Sequence, residues 1–555
     1  MFMEELKVTK KFSAFALTGF FTGVFLTFFL ASSAWSATKT KKMMKLDPVK
    51  YAQLLKSLSP AETNGIDYPF YTDAEVTKIT DAIESQRSPA AGGDGGVIVS
   101  SEFKALAEEL VNISAIPRAS VTKPDQLTAN TDRLDNFLAK LEAHYGEYKE
   151  ADTKLFASQY IPLRTLRGVV WKMIGLFKAR KTHPAHTLAL TAFKNFAGQM
   201  NIAFPDQDWQ VGFDYVTQPY VRDVVDEKGR THVELAEEFS NLAEFQALIA
   251  QYRFKVNEAI KRFKSIDVVS GKPVMWDQKL AFGPVSFKDD IGRYKRVGEL
   301  EKQTLLSNMF FSVSQMDFMQ AYSMNGSLDL SQKLGMMFGL DGAFIAGVEG
   351  VTAEQIHNVF TSNSSVGMGL PDRTKEVKQA FKDLKDALTT FNLAWKQTKE
   401  RGSGGAWLVN AGFSMRDRTY IDTKIQELAR ALNKKVKIRN SVTGEEAVVD
   451  LPAFFNSGGS ASLSDMMPKE FTPPLMSDKR DPEWVPVVLT DSKNVKHSSE
   501  FRDYEKGGPA KWDRSKFSVV FPEVRSDEDL KRAFRVFHST FASFSNIDIF
   551  TGVQR

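Results

Sequence analysis

The sequence predicts a mainly α protein, a multi-helix body followed by a smaller mixed α/β or irregular C-terminal region. Two apolar stripes at helical spacing carry the first half of that reading, and a change of pattern near residue 435 carries the second. In one stripe Val377, Phe381, Leu384, Leu388, Phe391 and Trp395 alternate by four and three, and Ala380, Ala387 and Ala394 flank them every seven residues. At about 3.6 residues per turn these positions form one apolar face, while Lys378, Lys382, Lys385 and Asp386 fall outside it. The pattern is too short for an extended coiled coil and fits bundle packing. The other stripe, through Leu235, Phe239, Leu242, Phe245, Ile249, Tyr252, Val256, Ile260 and Phe263, predicts a helix from His232 to about Lys264.

The chain opens with Lys7, Lys10 and Lys11, then an uncharged run from Phe12 to Thr38. A basic start, an apolar middle and a small-residue end make up a secretory signal, here residues 1–36. Ala34 and Ser36 flank Trp35 and suit a cut after Ser36; Ser32 and Ala34 suit one after Ala34. The expected location is the periplasm or the exterior. The alternative is an uncleaved anchor in the inner membrane formed by residues 12–34, since a span needs about 20 residues. Lys39, Lys41, Lys42 and Lys45 follow the run and oppose transfer of that side.

Beyond the leader, residues 37–125 form an N-terminal helical region, with helices over Asp47–Leu58, Thr72–Ser85 and Ser101–Val111. Residues 126–434 form the helical body, with further helices over Gln126–Tyr148 and Arg416–Leu432. Thr352-Ala353-Glu354-Gln355 has the form of a capping box. β-branched residues on both sides of Asp226-Glu227-Lys228-Gly229-Arg230 predict a β-hairpin near 220–233. Residues 435–555 form the mixed region. Val436 and Ile438 alternate with charged residues, and Thr443-Gly444 turns the chain into Ala447-Val448-Val449. Residues 456–482, rich in Ser, Gly and Pro, form a linker. Trp484–Leu489 and Phe517–Phe521 read as short strands, and a helix follows Ser526.

No motif names a reaction. The chain has 555 residues and no cysteine, which excludes disulfides, thiolate metal sites and a cysteine nucleophile. A formal net charge of +4 argues against nucleic acid as partner. His183 and His186 lack a third ligand, and Glu354-Gln355-Ile356-His357 lacks the second copy that a carboxylate-bridged iron site needs. Gly458-Gly459-Ser460-Ala461-Ser462 lacks the last glycine of a nucleophile elbow, and the Ser-x-x-Lys patterns at Ser101 and Ser120 lack their companion motifs. No catalytic residue, cofactor or metal ligand is assigned.

Two stretches stand out physically. Between Tyr160 and Lys181 there is no acidic residue; on one helix Arg164, Arg167, Lys172 and Lys178 would group with Trp171 opposite an apolar face. Such a face suits an acidic partner or an anionic membrane surface, or is simply solvated. Between Thr304 and Glu349 charges are sparse and methionines dense, including Met309, Met316, Met319, Met336 and Met337, with Asp317 among them. The stretch reads as a buried helix pair, or as a partner or ligand groove.

These observations predict an exported bacterial envelope protein that acts without catalysis, binding or scaffolding a protein partner through helical surfaces. The alternatives are an exported hydrolase or cell-wall enzyme with a site assembled from distant residues, and a carrier of a small apolar ligand. Mass spectrometry of the purified protein's N-terminus is expected to find a chain starting at Trp35 or Ala37; a start at Met1 or Met3 would contradict cleavage.

Overall fold

A computed structural model describes residues 46–60, 65–66, 69–86, 99–114, 124–177, 185–199, 210–225, 229–269, 274–277, 293–328, 369–370, 374–398, 407–408, 415–440, 444–457 and 513–541. The expected leader, the Thr352 capping box, Trp484–Leu489 and most of the expected linker lie outside these residues.

The described chain is mainly helical, with a smaller strand-containing region. Its first helices are α1 (Pro48–Leu58), α2 (Asp73–Ser85), α3 (Ser101–Ser114) and α4 (Pro124–Ala143). After them come α5 (Ala151–Tyr160), α6 (Val169–Phe177), α7 (Ala185–Gln199) and α8 (Gln210–Thr217). The hairpin β1 (Val221–Val225) and β2 (Thr231–Leu235) precedes α9 (Leu242–Ser265). A second ribbon, β3 (Val274–Asp277) and β4 (Tyr294–Val297), leads into α10 (Glu299–Gln320), and α11 (Thr374–Thr398) and α12 (Met415–Asn433) follow. The C-terminal part holds β5 (Val436–Arg439), β6 (Glu446–Val449), α13 (Leu451–Asn456) and α14 (Asp527–Phe541). Each strand pair is a separate antiparallel two-stranded sheet.

Side chains written into the sequence start the helices. Asp47 accepts from the Val49 N–H (3.0 Å) just before Pro48 opens α1. Thr72 and Glu75 form a reciprocal capping box at α2, and the Thr72 backbone N–H holds the Glu75 carboxyl below its usual range. Ser526 and Asp529 pair the same way at α14, at 3.0 Å in each direction.

Three expected elements come out differently. The helix expected from His232 starts ten residues later, at Leu242, because Asn241 caps the N–H groups of Ala243 (2.9 Å) and Glu244 (3.2 Å) while His232 sits in β2. The single basic helix expected over Tyr160–Lys181 is broken. Ile161–Leu166, with Pro162 near its start, is a 3-10 turn, and Gly168 takes a φ of 61° before α6 begins. Phe517–Phe521 is a run of turns after a 3-10 helix (Arg514–Lys516), not a strand, and buries Phe517, Val520 and Phe521.

Helices α10 and α11 run antiparallel and in close contact. The Ser307 hydroxyl donates to the Ala387 carbonyl (2.8 Å), and the Ser314 hydroxyl donates to the Ala380 carbonyl (2.7 Å). Small residues seven apart on each helix therefore meet, and the pairing continues to Leu300 beside Ala394. One apolar core gathers α1 and α3 through α10 and reaches Ala387 of α11, while Ile79 and Ile83 of α2 pack separately with Leu300 and Ala394. A second joins Phe318 and Tyr322 to Val377, Ala380 and Phe381 of α11 and to the C-terminal elements. Phe455 of α13 stacks on Phe381 at 4.6 Å.

Backbone proximity at α6 gives a stability test. A Cβ on Gly175 would press on the Phe239 carbonyl, whereas one on Gly146 meets nothing within 4 Å. Gly175→Ala is expected to lose about 2 kcal/mol or more in urea unfolding, with Gly146→Ala close to the parent.

Candidate docking surface

The basic stretch and the β-hairpin that stand apart in the sequence meet in space. Tyr220, just before β1, lies beneath the Arg167 guanidinium (4.6 Å to the ring centre) and the Lys172 ammonium (5.3 Å). Across from them, α4 supplies acids. Arg167 pairs with Asp132 and with Asp135 (3.4 Å), and Arg164 reaches Asp135 (3.6 Å) and Glu142 (3.4 Å). The Trp171 indole N–H donates to the Ala236 carbonyl just after β2 (3.2 Å), and the Phe239 N–H donates to the Lys172 carbonyl (2.7 Å). Tyr215 donates to Asp135 (2.7 Å), and burial pushes its phenol well up.

Arg167, Trp171 and Lys172 thus form the footing of the hairpin, and Arg164 pairs with the acids of α4 beside them. The Arg167 side chain is only 12% exposed and its charge is met by carboxylates, so it does little for an outside anion. Arg164 is 44% exposed, and its ion pairs contribute less than about 1 kcal/mol each. Lys178 lies outside the described residues.

The apolar surface is on the hairpin itself. Val221 (37% exposed), Val225 (65%), Val233 (64%) and Leu235 (50%) are four of the eight large apolar side chains that stand exposed among the described residues. The register pairs Val221 with Leu235, Asp223 with Val233 and Val225 with Thr231. Paired residues share a face and alternate residues return to it, so all six side chains lie on one face. The opposite face carries Arg222, His232 and Glu234, with His232 and Glu234 at 2.6 Å. Single exposed valines are ordinary; four large apolar side chains on one face of a ribbon form a patch. Sequence alternation marked the hairpin but not the exposure, because alternation does not say whether its apolar side meets a core.

The methionine stretch lies elsewhere. Met316 and Met319 are buried in the first core and Met309 is half-buried against it, while Met336 and Met337 lie outside the described residues. Asp317 is fully buried and pairs with Arg253 of α9, the donor that sequence alone did not supply. Around this pair runs a buried polar band. Gln246 bridges the carbonyls of Met319 (2.8 Å) and Tyr322 (2.9 Å), and Gln320 donates to the Gln246 carbonyl (2.9 Å). On α11, Gln379 donates to Asp383 (3.0 Å), and Lys382 lies 3.5 Å from Asp386 and donates to the Ile66 carbonyl. Burial lifts the Asp383 carboxyl to about 7 and that of Asp386 to about 6, against the pull of Lys382.

Among the described residues no group of three or more His, Cys, Asp or Glu is arranged to hold a metal ion, and no helix is long and apolar enough to cross a membrane. No protein-family model, curated protein or solved structure matches the chain.

The buried acids set a pH test. A carboxyl that holds its proton to about pH 7 when folded, against 3.8 as its ordinary value, stabilises the fold in acid, and that contribution is lost as pH rises through 7. Asp383→Asn is expected to gain about 2 to 3 kcal/mol on the parent in urea unfolding between pH 5 and pH 8. An equal difference at both pH values would contradict the assignment.

Proposed function

We propose that this protein acts without catalysis in a bacterial envelope, binding a protein partner through the β1–β2 hairpin. The observation that carries the proposal is the single apolar face of Val221, Val225, Val233 and Leu235, exposed on a ribbon whose base is clamped at Tyr220, Ala236 and Phe239. A clamped base matters because an isolated two-stranded hairpin is marginally stable, and a rigid arm loses less freedom on binding. The envelope location rests on the leader pattern of residues 1–36. An apolar arm on a helical body fits a scaffold or adaptor better than a catalyst. The strongest polar cluster, around Arg253 and Asp317, is enclosed between helices and serves their packing.

A photo-crosslinking amino acid at position 225 or 233 is expected to capture the same protein in cells, while one at the exposed helical position 108 captures none. Absence of adducts from both hairpin positions would overturn the proposal.

A further inference from the structure

We infer that the open edge of β1 takes up an extended strand from the partner protein, one that sets a Lys or Arg opposite Asp223 between two apolar side chains. The inference rests on the docking role proposed above and names the chemistry of the partner.

Backbone geometry comes first. Facing residues in an antiparallel pair alternate between those that exchange hydrogen bonds and those that do not. The Ala236 N–H donates to the Tyr220 carbonyl (2.8 Å), one step before the Val221–Leu235 pair. The bonded pairs are therefore Arg222–Glu234 and Val224–His232. Val221, Asp223 and Val225 turn their N–H and C=O groups away from β2. The side chains of these same residues form the exposed face, because both alternations have a period of two. Among the described residues no third strand pairs with this edge.

Asp223 then selects the occupant. It is exposed midway between Val221 and Val225, with no hydrogen bond or ion pair among the described residues. A third strand beside β1 brings one of its own residues directly opposite Asp223 on the apolar face. Opposite charges favour such a cross-strand position and like charges disfavour it. The matching strand reads apolar, any residue, Lys or Arg, any residue, apolar. A second copy packed face to face fits less well. It would set Asp223 among apolar side chains with no cation, leave the edge groups unpaired, and bury far less than the about 800 Å² per partner of a stable interface. Strand addition adds backbone hydrogen bonds to the small apolar area, the usual source of affinity in this mode.

The test uses the full chain and two labelled peptides, Thr-Val-Thr-Lys-Thr-Val-Thr and the same sequence with Glu for Lys. The Lys peptide is expected to slow amide exchange across Val221–Val225 and to bind about fivefold more tightly than the Glu peptide by fluorescence anisotropy. Asp223→Lys, a change at an exposed position, is expected to reverse the preference. Exchange unchanged by either peptide, or a preference that survives Asp223→Lys, overturns strand addition. Crosslinks from positions 225 and 233 without edge protection would leave the docking role standing and remove only this inference.

Discussion

Everything else in the described structure is arranged around the contact between α10 and α11. Two serine hydroxyls on one helix donate to carbonyls of the other, at Ser307–Ala387 and Ser314–Ala380. Small side chains let the helix backbones come close, and distance between packed helices follows the side chains at the contact. Each hydroxyl bond nets only about 1 kcal/mol, so the two fix register while apolar burial supplies the larger share of stability. With α11 on one side and α9 on another, α10 has almost no solvent face. Glu301, Gln303, Asp317 and Gln320 are all fully buried. Polar groups so placed require interior partners, and the enclosed Arg253–Asp317 pair is one result.

Much of this fold was legible residue by residue. The stripe from Val377 to Trp395 gave α11, and the alanines every seven residues beside it mark the side that meets α10. Helix starts at Asp47, Thr72 and Ser526 were readable because a cap is a local interaction. The illegible parts depend on distant contacts. Nothing near Glu299, Glu301 or Lys302 signals burial, since Lys302 is satisfied by the Ile266 carbonyl (2.7 Å) just beyond the end of α9. The β3–β4 ribbon was missed because four-residue strands carry little pattern; Arg293 holds it by a forked pair with buried Asp277. At the hairpin, sequence found the strands and the basic residues separately. Their union at Tyr220 joins positions far apart along the chain.

The division between body and hairpin gives the functional reading its shape. Charges within the body are matched to one another, as Arg167 is to Asp132 and Asp135, or enclosed, as Asp317 is. Among the described residues the hairpin carries an exposed apolar face with the Asp223 carboxylate at its centre. A ribbon with no such purpose would normally guard its edge with lysine, proline or a bulge. Among the described residues the only charge on the face of Val221, Val225, Val233 and Leu235 is Asp223, the residue on which the proposed choice of a basic strand turns.

Because α10 and α11 each belong to both apolar cores, neither core has a wall of its own on that side. Melting of the C-terminal elements uncovers Phe318, Tyr322 and Phe381, and loss of α9 exposes the other flank of the same helices. The two cores therefore share one structural wall, and cutting the chain between them would leave each half with an uncovered apolar face.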